Sequence, residues 1–339
     1  MNRPPSVSGN RARVLLLAAC LLATSTTGLA RGEDLGTCSL TCLEIPDYGH
    51  GAGLAVVLRT PGGKTFLYDT GSGYPGTGGQ AWSGDYNAGR DTVLPYLKSR
   101  GIDRIEGVFI SHAHYDHFGG LLWLVDHAEI PRLVDSGYTF PGEPDGEIAA
   151  YDRLRERFRR TPGAYRAAQA GDRIDLDGRV EVEVLAPPRL YYRANPNRPM
   201  KGDTPVHYLP NANSLGLRIT HGSVVFLLPG DIQTIDQEEL LLPSVPAEKL
   251  RCRVLVAPAH GIDASAAFAR ATHPEVTIAS ASGRYARWSK TPAVYGAEGS
   301  RVFVTGDHGR VTVTSDGRSC EVSAERPGGR PSDGPRPAR

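Results

Sequence analysis

The chain has 339 residues, of which 40% are hydrophobic and 22% are charged. This composition is typical of a soluble globular protein and provides enough apolar residues for a buried core. The formal net charge of +1 excludes a protein that would bind polyanions through its overall charge.

The N-terminus has the pattern of a secretory signal peptide at residues 1–30. A basic start precedes an apolar run at 14–23, which is too short to span a bilayer comfortably, and a small-x-small cleavage site at 28–30. We therefore expect an exported protein, either periplasmic or secreted. Residues 17–20 also resemble a bacterial lipobox, so a lipid anchor on Cys20 is the alternative.

The rest of the chain predicts a simple domain organisation. We expect an N-terminal segment at 31–43, one large domain at 44–324 and a disordered tail rich in Pro, Gly and Arg at 325–339. We expect no transmembrane domain in the mature chain.

Four cysteines would remain after cleavage at Ala30. An even number of cysteines in an exported chain suggests disulfides. We expect the pairs Cys38–Cys42 and Cys252–Cys320, with buried free thiols as the alternative.

The hydrophobic pattern predicts secondary structure along the chain. Predicted strands lie at 54–59, 64–69, 108–110, 180–185, 214–220, 223–228, 252–257 and 276–280, with a closing hairpin at 301–305 and 310–314. Predicted helices lie at 91–100, from Gly119 onward, over 148–158 and at 237–242. Residues 187–213 are predicted to form a long loop, and His221 an exposed position in a hairpin turn.

The stretch SHAHYDHFGG, residues 111–120, is the most informative part of the sequence. Three of the ten histidines fall within the six positions 112–117, directly after the apolar run Val108–Ile110. The pattern indicates a buried strand followed by a loop that carries imidazole and carboxylate side chains. Those are the donors that zinc-class metals prefer. We therefore predict a metal site here.

Three further polar residues also follow predicted strands, namely Asp69, Asp231 and His260. One sheet edge could gather them with the histidine-rich stretch. Metal-dependent hydrolysis needs a metal that lowers the pKa of a bound water and a carboxylate that orients the attacking hydroxide. Asp231 is a natural bridge between two metals, and Asp69 is a natural acceptor that would fix a histidine tautomer.

These motifs resemble those of the metallo-β-lactamase superfamily over about residues 44–315. The order is an early Asp-x-Gly, then His-x-His-x-Asp-His, Gly-Asp and a late His-Gly. Within the superfamily, the sequence most resembles the extracellular hydrolase domain of the ComEC competence proteins, through stretches such as LPYLKSRGIDRIEGVFISHAHYDHFGG and VAPAHGI. The resemblance implies an αββα sandwich of two mixed sheets with the metals at one edge. It also implies hydrolysis, with phosphodiesters as the favoured substrate class.

The resemblance further implies six metal ligands: His112 and His114 on the first metal, Asp116, His117 and His260 on the second, and Asp231 bridging them. Asp116, or the hydroxide that it orients, is the expected catalytic centre. Two zinc ions are the expected cofactors, with manganese as the alternative.

The sequence departs from the superfamily pattern in two places. The usual third histidine of the first metal has no clear match, and the Asn-x-x-Ser pattern at 211–214 stands there instead. Asn213 or His207 would substitute for that histidine. Asn213 is otherwise expected in the shell of residues around the metal ligands. The usual His-His-Gly-Ser of the ComEC-like branch is Ala-His-Gly-Ile at 259–262, so one histidine is lost.

Two other functions compete with phosphodiester hydrolysis. One is hydrolysis of a lactam, lactone or thioester at the same metals, and the other is a metal-poor, non-catalytic binding protein with the same fold. Basic residues at 153–160 and 193–201 could contact nucleic acid, although the net charge gives no support for it.

Overall fold

The computed structural model describes residues 1, 34–47, 53–74, 86–142, 146–194 and 204–329. The predicted signal peptide, apart from Met1, lies outside the described residues, and so does the predicted anchor Cys20. Among the described residues, no helix is both long enough and apolar enough to cross a bilayer.

Strands dominate the described chain from Leu35 onward. In chain order they are β1 (Cys38–Cys42), β2 (Ala55–Arg59), β3 (Thr65–Thr70), β4 (Gly107–Ile110), β5 (Leu133–Asp135), β6 (Tyr165–Ala167), β7 (Arg173–Asp175), β8 (Val180–Ala186), β9 (Gly216–His221), β10 (Val224–Leu228), β11 (Val254–Val256), β12 (Val276–Ala279), β13 (Arg301–Val304), β14 (Val311–Ser315) and β15 (Cys320–Ala324).

The described strands form two mixed sheets. The first has the order β15, β14, β1, β2, β3, β4, β5, β6, and the second has the order β13, β12, β11, β10, β9, β8, β7. In the first sheet β3, β4 and β5 are parallel, and in the second β10, β11 and β12 are parallel. β6 is also parallel to β5, and β13 to β12, while the other neighbouring pairs are antiparallel.

The helices connect these strands. In chain order they are α1 (Leu94–Ser99), α2 (Tyr115–Leu124), α3 (Gly146–Arg159), α4 (Pro205–Ala212), α5 (Thr234–Asp236), α6 (Leu242–Ser244), α7 (Ala247–Leu250), α8 (Ala266–Thr272), α9 (Gly283–Trp288), α10 (Thr291–Ala297) and α11 (Thr305–His308). A π-helical turn (Gly89–Val93) precedes α1, another (Gln237–Leu241) joins α5 to α6, and a 3-10 turn (Pro258–Gly261) follows β11.

Three apolar cores show how the layers stack. The central core lies between the two sheets and includes Leu40, Tyr68 and Phe226. A second core packs α1, α2 and α3 on the outer face of the first sheet, and a third packs α8 and α10 on the outer face of the second. The described chain is therefore an αββα sandwich, which confirms the predicted fold class.

Most predicted strands and the helix over 148–158 are present, but four local predictions were wrong. Helix α2 begins at Tyr115, inside the histidine-rich stretch, and α4 interrupts the predicted loop at 187–213. The predicted closing hairpin does not form, because β13 pairs with β12 in the second sheet while β14 pairs with β1 in the first. His221 is buried, with Nδ1 3.0 Å from Ser315 Oγ.

The ends of the predicted domain also differ from the structure. Residues 38–42, assigned to a segment ahead of the domain, form β1 between β2 and β14. At the other end, the Arg326 backbone N–H donates to the His308 carbonyl and its guanidinium lies 2.9 Å from Glu44. The ordered chain therefore extends past the predicted start of the tail at 325.

The predicted disulfides are wrong, since all four cysteines in the described chain are free. Cys38 and Cys42 lie at the two ends of β1, so their Cα atoms are about 13 Å apart in an extended strand, twice the reach of a disulfide. Both side chains are buried in the central core. Cys252 is also buried and directs its thiol to the Thr272 carbonyl. Buried free thiols, the alternative, describe Cys38, Cys42 and Cys252.

One buried ion pair joins α3 to the first sheet. Arg155 is only 2% exposed, and its Nε donates to the Asp135 carboxylate at 2.8 Å. The same carboxylate accepts hydrogen bonds from the hydroxyls of Tyr151 and Tyr165, both at 2.8 Å. Arg155 was predicted to belong to a basic face, but the structure uses it to fix β5 and the loop after it.

We expect Asp135→Ala to destabilise the fold by about 3–5 kcal/mol, because it leaves the Arg155 guanidinium buried and uncompensated. Urea unfolding followed by circular dichroism measures the change. The matched control is Arg157→Ala on the same helix, which breaks the exposed pair with Asp126 and should cost no more than about 1 kcal/mol. Equal losses in the two variants would contradict this reading of the buried pair.

Candidate metal centre

The two sheets bring the polar ends of their parallel strands to one edge of the sandwich. Asp69 lies near the end of β3, and the stretch from Ser111 follows β4. In the second sheet, Asp231 follows β10, and His260 lies in the turn after β11. Parallel neighbouring strands end on the same side, so this edge gathers residues that are far apart in sequence.

Two glycines let α2 approach the end of β3 closely. A Cβ on Gly120 would lie 2.1 Å from the Thr70 carbonyl oxygen, and one on Gly119 would lie 2.2 Å from the Gly73 backbone. No other residue type fits at these contacts without moving the backbone. The Gly-Gly pair therefore explains how the first turn of α2, with Asp116 and His117, reaches the sheet edge.

Four side chains converge at the centre of this edge. His117 Nε2 lies 3.2 Å from His260 Nε2 and 3.3 Å from Asp231 Oδ2. His260 Nε2 lies 3.2 Å from Asp231 Oδ2 and 3.3 Å from Asp116 Oδ2. The ligands of a tetrahedral zinc, each about 2.0–2.1 Å from the ion, lie about 3.3 Å from one another. The mutual spacing of His117, His260 and Asp231 therefore suits one zinc-class ion, with Asp116 beside it at 3.3 Å from His260 and 3.8 Å from His117.

The hydrogen bonds around the two imidazoles direct their lone pairs into this cluster. His117 Nδ1 donates to the Asp69 carboxylate at 2.7 Å, and His260 Nδ1 donates to the Ser280 carbonyl at 3.2 Å. In neutral imidazoles, both Nε2 atoms then carry a lone pair and face each other. Such an arrangement leaves the two nitrogens without a hydrogen bond between them and suits a shared cation.

A second set of donors lies beside the first. His112 Nε2 is 2.9 Å from His114 Nδ1, and His112 lies with His117 and Asp231 in a group whose ligand atoms are within 4.8 Å of one another. The hydroxyl of Ser111 donates to Asp69 at 2.7 Å and lies 3.0 Å from His112 Nδ1. Ser111 can therefore accept from His112 Nδ1–H and orient that ring.

The two residues predicted to complete the first metal site are not brought into it. The Asn213 amide is used by the backbone, because its Oδ1 accepts from Tyr192 N–H and its Nδ2 donates to the carbonyls of Tyr192 and Leu209. His207 lies on α4, and its Nδ1 is 3.1 Å from the Oγ1 of Thr204, the residue before the helix. His207 does not belong to either group of side chains that could hold a metal ion in the described chain.

Sequence reasoning missed two serines that support the centre. Ser111 contacts three of its residues, and Ser214 Oγ lies 3.4 Å from His112 Nδ1 while accepting from the Asp231 backbone N–H. Their positions offered a signal, since Ser111 directly precedes the histidine-rich stretch and Ser214 ends the Asn-x-x-Ser pattern.

The carboxylates give the centre a strong preference for positive charge. Burial lowers the pKa of His117, but Asp231, Asp116 and Asp69 outweigh it and raise that pKa well above its usual value. Burial also lowers the pKa of His260. The carboxylates outweigh burial and raise that pKa to about 9. Protons and a metal ion would therefore compete for the same nitrogens.

Two further observations test whether the residues fit a metal. Asp231 Oδ1 is buried and has no hydrogen-bond partner within the described chain, although Oδ2 of the same group contacts both histidines. In the described residues, three of the four non-glycine residues with positive φ are Asp69, Ala259 and His260. An unsatisfied carboxylate oxygen and backbone strain collected at one place both mark a functional site. The donor set fits a divalent metal.

The chain belongs to the metallo-β-lactamase superfamily, whose family model matches residues 48–272. This confirms the resemblance seen in the sequence. Among solved structures it is similar to Igni18, a metallo hydrolase from Ignicoccus hospitalis, with 15% identity and a TM-score of 0.44 over 82% of this chain and 98% of that one.

Two curated relatives match parts of this chain. ComE operon protein 3 of Bacillus subtilis is 24% identical over 49% of this chain, and competence protein ComA of Neisseria gonorrhoeae is 28% identical over 71% of it. The matched regions cover 19% and 27% of those two proteins, so this chain corresponds to a minor part of each.

We expect Asp69→Asn to weaken zinc binding by about 10–100-fold, because His117 loses the carboxylate that fixes its tautomer. Asparagine keeps the shape of the side chain and tolerates the positive φ at this position. Competition with a chromogenic chelator measures the affinity. The control is Asp103→Asn, at an exposed position, which should bind zinc like the wild type. Unchanged affinity in Asp69→Asn would refute the role given to this residue.

We also expect two ions to bind with unequal affinity. The ligand atoms of His117, His260 and Asp231 lie within 3.3 Å of one another, with Asp116 3.3 Å from His260, whereas His112 and His114 give the other position fewer donors. His260→Ala should weaken the tighter ion by more than about 100-fold, since even supporting residues contribute 10–100-fold. His114→Ala should weaken only the second ion. Isothermal titration with zinc separates the two steps, and equal effects of the two variants on the tighter ion would be inconsistent with this assignment.

Proposed function

We propose that the protein is an exported metal-dependent hydrolase that acts on phosphodiesters. The observation that carries the proposal is the cluster of His117, His260 and Asp231, whose ligand atoms lie 3.2–3.3 Å from one another, with Asp116 3.3 Å from His260. The predicted signal peptide supports export, with the lipid anchor on Cys20 as the alternative. Zinc is the proposed metal and manganese the alternative.

A divalent metal bound here would supply a water molecule acidic enough to act as a nucleophile near neutral pH. His117 and His260 would hold the metal through Nε2, and Asp231 would be the ligand that they share with the second position. His112 and His114 would hold a second ion. Asp69, Ser111 and Ser214 do not reach the substrate but keep the histidine rings oriented.

Asp116 is the residue proposed to act in the reaction itself. A quarter of its side chain is exposed, more than for the other three members of the cluster. Burial raises its pKa, but His117 and His260 outweigh burial and lower it, so the carboxylate is ionised and can accept a hydrogen bond from the attacking water. Its Oδ2 lies 3.3 Å from His260 Nε2 and its Oδ1 lies 3.8 Å from His117 Nε2.

Two features favour a phosphodiester over a lactam, lactone or thioester. The sequence resembles the ComEC-type branch, whose favoured substrates are phosphodiesters. Arg287 is exposed on α9, beside the strand end that positions His260, and a cation at a site's rim favours an anionic substrate. Arg284 on the same helix is also exposed but lies 3.5 Å from the Asp47 carboxylate, which offsets its charge. The basic stretch at 153–160 gives less support, because Arg155, Arg157 and Arg159 already pair with acids.

We expect Asp116→Ala to lower kcat for bis(p-nitrophenyl) phosphate by at least about 100-fold while the fold is kept, because the nucleophile loses its orienting carboxylate. Asp103→Ala, an exposed change of the same kind, should leave kcat unaltered. Removal of the metal by a chelator should abolish turnover, and added zinc or manganese should restore it. Wild-type turnover in Asp116→Ala would refute the role of this residue.

The same preparation tests the alternatives. Hydrolysis of a chromogenic lactam but not of the phosphodiester would replace the proposed substrate class. Fewer than one metal ion per chain, together with no turnover of either compound, would favour a non-catalytic binding protein.

A further inference from the structure

Helix α9 lies next to the strand that supports His260. Strand β12 ends at Ala279, the Ser280 carbonyl accepts the hydrogen bond from His260 Nδ1, and α9 begins three residues later at Gly283. Ser282 Oγ donates to the Ile45 carbonyl and fixes the turn between them. The start of α9 is therefore held rigidly at the edge of the metal centre.

The exposed side of α9 combines aromatic rings with cations. Trp288 is 58% exposed, whereas most large apolar side chains in the described chain are buried. Its ring lies 5.6 Å from that of Tyr285, and the Arg284 guanidinium lies 4.9 Å from the Tyr285 ring and 6.0 Å from the Trp288 ring. We call Arg284, Tyr285 and Trp288 the α9 platform.

The C-terminal end of α9 is also tied to the metal centre. Ser289, the residue after Trp288, donates from Oγ to the Gly261 carbonyl at 2.8 Å, and the Lys290 backbone N–H donates to the same carbonyl at 3.2 Å. Gly261 directly follows His260, so the residue next to Trp288 contacts the turn that carries a candidate metal ligand.

We propose that the α9 platform binds a planar base attached to the phosphodiester whose phosphate lies at the metal centre, and so selects nucleotide-like substrates. This inference rests on the proposed function and adds the chemical class of the group beside the scissile phosphate. An exposed indole can stack on any base. Arg284 is paired with Asp47 at 3.5 Å and contributes a planar guanidinium beside the indole, not an unpaired charge. Arg287 is exposed, and no carboxylate of the described chain lies within ion-pair distance of it. Its guanidinium can therefore form an ion pair with the substrate phosphate.

A pair of substrates with the same leaving group isolates the base. The p-nitrophenyl ester of thymidine monophosphate and methyl p-nitrophenyl phosphate share the scissile bond and differ only in the nucleoside. For Trp288→Ala in the zinc-loaded protein, we expect kcat/KM to fall about tenfold for the thymidine ester. For the methyl ester it should stay within about twofold. Trp288→Phe keeps an aromatic face and should retain most of the preference.

Controls separate the α9 platform from general damage. Arg270→Ala, a surface change on α8 that breaks the pair with Glu298, should alter neither substrate. Melting temperatures of all variants should agree, because the Trp288 side chain is largely exposed. Equal loss for both esters in Trp288→Ala, or no loss for either, would overturn the proposed role of the α9 platform.

A binding measurement tests this inference independently of the proposed catalytic function. Calorimetric titration with thymidine monophosphate should show about tenfold weaker binding to Trp288→Ala than to wild type, and inorganic phosphate should bind both equally. If wild-type protein hydrolyses neither ester, the proposed function fails while the binding result still decides the role of the α9 platform. Equal thymidine monophosphate affinity in the two proteins would overturn it.

Discussion

The centre depends on one electrostatic constraint. Two imidazoles, each with Nδ1 already hydrogen-bonded, direct Nε2 toward carboxylates in a space that is mostly closed to water. His117 and His260 each commit Nδ1 to an oxygen acceptor, and Asp231 is buried beside both. Burial alone would raise the pKa of Asp231, but the two histidines lower it well below its usual value, so its negative charge persists. A buried negative charge with lone pairs around it needs a cation, and protons or a divalent metal are the available choices.

The fold meets this constraint by holding the candidate ligands in place through hydrogen bonds and close backbone packing. Asp69 takes a positive φ near the end of β3, where its carboxylate accepts from Ser111 N–H and from His117. The Gly119-Gly120 pair brings α2 against β3, so that His117 meets that carboxylate. The strain at Asp69 and His260 is supported by the surrounding hydrogen bonds, as expected when the local backbone is set by function and not by its own preference.

The sequence predicted the layered fold and several of the side chains that converge at the sheet edge, because both depend on local patterns. Apolar runs followed by Asp or His marked the strand ends, and parallel pairing then brought those ends together. Some failures were local, since α2 begins earlier than predicted and α4 lies inside the predicted loop. Others depended on long-range pairing. Nothing local showed that β13 and β14 enter different sheets, so the turn between them resembled a hairpin. His221 and Arg155 resembled exposed residues, because their partners Ser315 and Asp135 lie 94 and 20 residues away.

The most direct test is zinc K-edge X-ray absorption on the zinc-loaded protein. The account predicts stoichiometric zinc with only nitrogen and oxygen ligands at about 2.0–2.1 Å, including the scattering pattern of imidazole rings. A shell of sulfur at about 2.3 Å would place the metal on the free cysteines instead. That result, or less than one zinc per chain after loading, would contradict the assignment of the centre.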